Sequence, residues 1–185
     1  MPILRTLSRR IQPLHAPADP AREARIVDFW IEKQELSNWC WVSALQSISN
    51  YGAETYWSQR EVAAEILKDD ECLHHPDKFD EPRNIRSDLE EMGGMSLHLD
   101  RALTEYGVRL RVDGQSLAVC LIGWGNGTYH YVLVSGWDEI GGDLFLHVCD
   151  PAHGGGPARV PYSDLLLSYN ERNVDWVQST IVTGF

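Results

Sequence analysis

Asn38-Trp39-Cys40-Trp41-Val42-Ser43-Ala44-Leu45-Gln46-Ser47-Ile48-Ser49-Asn50-Tyr51 is the stretch from which the rest of the chain is read. Trp41, Ala44, Leu45, Ile48 and Tyr51 recur at three- and four-residue intervals, one apolar stripe of a helix beginning near Asn38. Gly52 follows and suits a left-handed helix end. Ser58-Gln59-Arg60-Glu61 then reads as a capping box, with Val62, Ile66 and Leu67 as the buried face of a second helix. Residues 69–95, with Pro76, Pro82, Gly93 and Gly94, show no regular period. A third helix is expected from Ser96 to Tyr106, with Leu97, Leu103 and Tyr106 apolar and Gly107 closing it.

Beyond that point the period changes. Val108–Val112 alternates in polarity, and Leu117–Trp124 is an apolar run ending at the turn signal Gly125-Asn126-Gly127. Tyr129–Trp137 and Asp143–Cys149 read as strands joined at Gly141-Gly142, and Gly154-Gly155-Gly156 marks another turn. Tyr162–Tyr169 is expected as a short helix and Val174–Val182 as a closing strand. Helices first and antiparallel strands after predict an α+β domain with segregated layers. Pro2, Pro13, Pro17 and Pro20 among Arg and Ala make residues 1–28 an expected arm or linker, with the domain spanning 29–185.

The chain has 185 residues and a net charge of −11. That balance argues against nonspecific nucleic-acid binding, which needs a clustered basic surface. The basic residues Arg5, Arg9 and Arg10 fall in the arm. No apolar run approaches the roughly 18 residues of a membrane span, so no membrane association is expected. The four cysteines, Cys40, Cys72, Cys120 and Cys149, are too sparse for a disulfide scaffold. Without a secretory apolar region, synthesis in a reducing cytoplasm is expected, with export only by a leaderless route. Cys72, His74 and His75 do not have the spacing of usual zinc ligands. Cys120 and Cys149 lie on neighbouring predicted strands.

Cys40 falls within a turn of a helix N-terminus, preceded by the capping candidates Ser37 and Asn38. Unpaired N–H groups and the helix dipole favour an anion there, and a thiolate at such a position is a usable nucleophile. A lone cysteine is more often a packed core residue, so the pattern around it carries the reading. Gln34 offers an uncharged amide that can join the Cys40 N–H as oxyanion donors. His130 opens an apolar strand straight after a turn and shares a face with Val132 and Val134 by alternation. Asp150 ends the next strand, and antiparallel pairing brings it beside His130, where a carboxylate fixes the tautomer and stabilises the imidazolium. His147, mid-strand, alternates away from Asp150.

Gln34 six residues before Cys40-Trp41, an apolar helix, His130-Tyr131-Val132-Leu133-Val134 with Gly136-Trp137-Asp138, and Asp150-Pro151 together resemble the papain clan of cysteine peptidases. Within it they look closest to the bacterial branch of bacteriocin-processing (double-glycine leader) peptidases and plant-pathogen effector proteases. The resemblance covers roughly residues 30–160. It implies a two-lobed fold, a helical lobe supplying the cysteine and a sheet lobe supplying His130 and Asp150. It implies cysteine endopeptidase activity on a protein or peptide substrate, with no cofactor beyond the thiol. The same apparatus also serves deamidases, amidases and transglutaminases. A delivered effector or toxin would have a cognate inhibitor as partner. A non-catalytic binding module fits less well, because it needs none of the four residues together. Trp41 and Trp137 are expected as substrate contacts, Trp137 also as a shield over the His130–Asp150 pair.

Overall fold

The structure is a computed structural model that describes residues 23–25, 29–51, 53, 56–92 and 95–183. The Arg5, Arg9, Arg10 cluster, Gly52, Gly93 and Gly94 lie outside the described residues. Helix α1 spans Cys40–Asn50 and α2 Gln59–Leu67. Short helices α3 (Glu71–His74) and α4 (Arg86–Glu91) follow, separated by a 3₁₀ turn at Pro76–Phe79. The α2 capping box forms as expected: Ser58 accepts from the Glu61 N–H, and the Glu61 carboxylate accepts from the Ser58 N–H at 2.8 Å.

The sheet has strands β1 (Glu23–Arg25), β2 (Met95–Leu99), β3 (Leu117–Trp124), β4 (Tyr129–Ile140), β5 (Asp143–Cys149), β6 (Ala158–Pro161) and β7 (Val174–Thr183). Their order is β2-β7-β3-β4-β5-β6, with β1 on β4, and every pairing is antiparallel. Two helices, α5 (Glu105–Asp113) and α6 (Tyr162–Leu167), pack against strands as well. The class is therefore α+β, helices first and an antiparallel sheet after.

Strand alternation divides the buried residues into two cores. Val119, Tyr131 and Leu133 pack with Trp41, Leu45, Val62 and Ile66 of α1 and α2. Ala118, Cys120, Ile122, Val132 and Val134 point the other way, into a core with Val108 and Val112 of α5 and Leu165 of α6. Cys120 and Cys149 thus sit in different cores, and all four cysteines are free.

Helix α1 is buried nearly all round, including Ser43, Gln46, Ser47 and Asn50. These polar side chains serve neighbouring backbone, as buried polar groups must. Ser43 donates to the Glu32 carbonyl, and Ser47 accepts from the Glu32 N–H at 3.2 Å. Asn50 bonds both the carbonyl and the N–H of Trp57, each at 2.8 Å.

Three expectations are corrected. Residues 96–99 are not helical: Met95–Leu99 alternates and pairs with β7, Leu97 opposite Ile181. The third helix starts later, where Thr104 accepts from the Gly107 N–H at 3.1 Å, so Gly107 lies in its first turn. Val108–Val112 is inside that helix: its two valines are one helical turn apart and both buried, a spacing that also mimics strand alternation. Finally, Glu23–Arg25 pairs with Gly136–Asp138, so the sheet takes in residues from the expected arm.

Candidate active site

The segment leading into α1 is fixed from three sides. The Ile31 N–H donates to the Gly155 carbonyl at 3.0 Å, and the Gln34 N–H donates to the Pro151 carbonyl at 2.9 Å. Gln59, buried at the start of α2, receives the Glu35 N–H at 2.9 Å and donates to the Lys33 carbonyl at 2.8 Å. Gln34 is thereby held between two clamped neighbours, next to the turn that carries Asp150.

Ser37 and Asn38 do not cap α1. Both turn instead to Asp80: the Ser37 hydroxyl donates to its carboxylate at 2.6 Å and the Asn38 N–H at 2.7 Å. The indole N–H groups of Trp39 and Trp41 donate to the carbonyls of Phe79 and Glu81 at 2.9 and 3.0 Å. The irregular segment is therefore the scaffold of the Asn38–Trp41 motif. Helix α1 has no side-chain cap, so its first-turn N–H groups, that of Cys40 included, receive no side-chain acceptor.

On the sheet side, the Trp124–Tyr129 turn closes with the Trp124 N–H on the Thr128 carbonyl at 2.8 Å, which places His130 opposite Ile122. His130 Nε2 is 2.7 Å from Asp150 Oδ1. Its ring also interacts with the Cys40 thiol, and both side chains line one hollow. With Nε2 engaged by Asp150, Nδ1 is the nitrogen left for the thiol. Cys40, His130 and Asp150 thus form one continuous chain. Asp150 is itself held: Oδ1 also accepts the Ala152 N–H at 2.8 Å, and Oδ2 accepts the Tyr169 hydroxyl at 2.9 Å.

Burial works against a charged His130, yet the hydrogen bonds from Asp150 and Cys40 outweigh it and push its pKa up to about 9. Burial likewise opposes ionised Asp150, but His130, the Ala152 N–H and Tyr169 hold its carboxyl below the usual range. Burial pushes Cys149 up to about 11, and raises Cys72 and Cys120 as well.

Two hollows meet at this chain. One, about 580 Å³, runs past Cys40 between Pro82, Arg83 and Asn84 on one wall and Leu121, Tyr131 and Val177 on the other. The second, about 710 Å³, lies beyond His130 and is lined by Gln34, Trp124, Asp150, His153 and Arg172. Ser37, Asn38, Tyr129 and His130 line both. The two hollows therefore adjoin at His130, and Cys40 lines the first.

Cys40, His130 and Asp150 are brought together. Gln34 lines the second hollow, but its Nε2 donates to the carbonyls of Leu36 and Ser37, each at 2.8 Å. An oxyanion would have to share that donor. Among the described residues the buried Gln34 Oε1 has no hydrogen-bond partner. Trp41 and Trp137 are not groove residues, which corrects the expectation of substrate contact. Only 1% of Trp41 and 2% of Trp137 is exposed. Trp41 packs in the α1 core, while Trp137 donates to Asp113 at 3.0 Å in the other core. The aromatic ring beside His130 is Trp124, stacked on it with centroids 6.5 Å apart. His147 points elsewhere, 3.4 Å from Asp138, which also holds Arg159 at 2.6 Å.

Trp124, Tyr169 and Asp80 were not singled out by sequence reasoning. Trp124 had a signal: it and His130 flank one turn with side chains on the same face. Asp80 had none, because its role depends on a fold contact with Asn38. Cys72 lies in the α1 core while His74 and His75 are exposed; among the described residues no group of His, Cys, Asp and Glu is arranged to hold a metal. Among the described residues no helix is long and apolar enough to cross a membrane. No protein-family model matches the chain, and no curated protein matches it.

Proposed function

We propose that the protein is a cysteine endopeptidase with a papain-like, two-lobed arrangement of α1 against the sheet. The observation that carries this reading is Cys40 beside His130 in one hollow, with His130 hydrogen-bonded in turn to Asp150. Two hollows adjoining at His130, one of them lined by Cys40, leave room for an extended polypeptide substrate.

In the proposed reaction the Cys40 sulfur attacks the scissile carbonyl, whose oxygen becomes an oxyanion facing the Cys40 N–H and, after one bond to Leu36 or Ser37 is shared, Gln34. The C–N bond breaks as the His130 imidazolium gives its proton to the leaving amine. An acyl-thioester remains on Cys40. His130, now neutral, takes a proton from water as that water attacks the thioester. The acid departs and the thiolate–imidazolium pair is restored. Asp150 keeps the ring oriented throughout.

The test is hydrolysis of an unstructured protein such as casein. The wild-type chain is expected to produce internal fragments, and Cys40→Ala to produce none. Equal fragmentation by both chains would sink the proposal.

A further inference from the structure

We infer that Tyr169 is a positioning residue of the active-site chain, its hydroxyl fixing the carboxylate of Asp150 so that one oxygen stays aligned on His130. The inference rests on the peptidase reading above. Asp150 is buried, and its two oxygens are used differently. Oδ1 takes His130 at 2.7 Å and the Ala152 N–H at 2.8 Å, whereas Oδ2 accepts the Tyr169 hydroxyl at 2.9 Å. Without that hydroxyl the carboxylate would keep one buried oxygen unsatisfied, which disfavours its ionised form.

How the phenol is delivered supports the assignment. Tyr169 begins the 3₁₀ turn Tyr169–Glu171, only 5% exposed and packed in the α5–α6 core. The next two residues, Asn170 and Glu171, both adopt positive φ, 53° and 61°. Non-glycine residues seldom take that conformation, and two in succession persist only where the surroundings over-determine them. The same turn leads into Arg172, whose guanidinium lies 5.6 Å over Trp124, the ring stacked on His130. One constrained turn therefore braces the His130–Asp150 pair from two directions. A core tyrosine needs only some acceptor; this one takes the oxygen that His130 leaves free. Burial, and then the neighbouring Asp150 charge, push Tyr169 ionisation far upward, so the hydroxyl remains a donor.

The experiment is the pH dependence of Cys40 alkylation by iodoacetamide in the full chain, for wild type, His130→Ala and Tyr169→Phe. Tyr169→Phe keeps the ring and removes one oxygen. Asp150 should then take up its proton at higher pH, weakening the ion pair earlier on acidification. The acid limb is expected to move up by about one pH unit, the scale of a lost hydrogen bond to a buried carboxylate. Replacing the Tyr169 phenol with 3-fluorotyrosine, a stronger donor of nearly the same shape, should move the limb the other way. It also serves as the test if Tyr169→Phe does not fold. An acid limb unchanged in the folded Tyr169→Phe chain, or unmoved by fluorination, overturns the inference and leaves the peptidase reading standing. If wild-type alkylation does not depend on His130 at all, both readings fall.

Discussion

Asp80 grips Asn38 from both of its ends: the Asp80 carboxylate accepts the Asn38 backbone N–H at 2.7 Å, and the Asp80 carbonyl accepts the Asn38 side-chain amide at 2.8 Å. The residue two positions before Cys40 is thus held by a residue more than forty positions later. Asp80→Ala removes the carboxylate half of this clasp, and with it the acceptor of the Ser37 hydroxyl. It is expected to cost about 1–3 kcal/mol in urea unfolding, as for lost hydrogen bonds to a charged group. The same variant should slow Cys40 alkylation, because the loop that aims the thiol loosens.

Gly154 has φ +71°, and a Cβ there would meet the Lys33 backbone N at 2.8 Å. Lys33 belongs to the segment that carries Gln34, so the clash reaches the site. Gly154→Ala is expected to destabilise by about 1–3 kcal/mol from the left-handed backbone alone, with the contact adding to it. Gly156→Ala, where a Cβ meets nothing within 4 Å, should be close to neutral. Thermal unfolding of the two variants side by side checks the contrast.

In the proposed reaction Gln34 would serve the transition state and not the activation of the thiol. Gln34→Ala is expected to slow peptide hydrolysis by roughly 10²-fold, the usual effect of losing one oxyanion donor. Alkylation of Cys40 by iodoacetamide forms no oxyanion and should change far less. Equal losses in both assays would assign Gln34 to shaping the Leu36–Ser37 turn only.

The ion pair sets a pH window. The folded pKa of His130 lies at about 9, above its ordinary value of 6.5. Its stabilising contribution is therefore full below about 6.5 and is lost as pH rises through about 9. Asp150, held below the usual carboxylate range, contributes above that range and loses its part as pH falls through the lowered value. Unfolding free energy of the wild type should thus fall between about pH 6 and about pH 9.5 by a few kcal/mol at most, and His130→Ala should lose much less over the same interval.

What the sequence made legible follows from local chemistry. The period of α1, the Ser58 capping box, and the glycine turns around β3, β4 and β5 are short-range signals, and the structure has each of them. Asp150 near His130 followed from hairpin geometry alone. The region from Ser96 to Val112 was misread because Val108 and Val112 fit two periods, and what decides between them is the Thr104 cap and the β7 partner of Leu97. The tryptophans were misassigned for a related reason. An indole beside a catalytic motif in sequence can face the core, and Trp41 and Trp137 do, while Trp124 reaches His130 across a turn. Asp80, Gln59 and Tyr169 act through contacts that exist only once distant segments have packed.

The most direct test of the account is labelling with a thiol-directed peptidyl epoxide, read by mass spectrometry on wild type and on His130→Ala. Cys40 lines the groove, whereas Cys72, Cys120 and Cys149 are fully buried. The account predicts modification at Cys40 alone, with the rate collapsing when His130 is removed. Modification of Cys40 no faster than of Cys72, or a rate indifferent to His130, would contradict it.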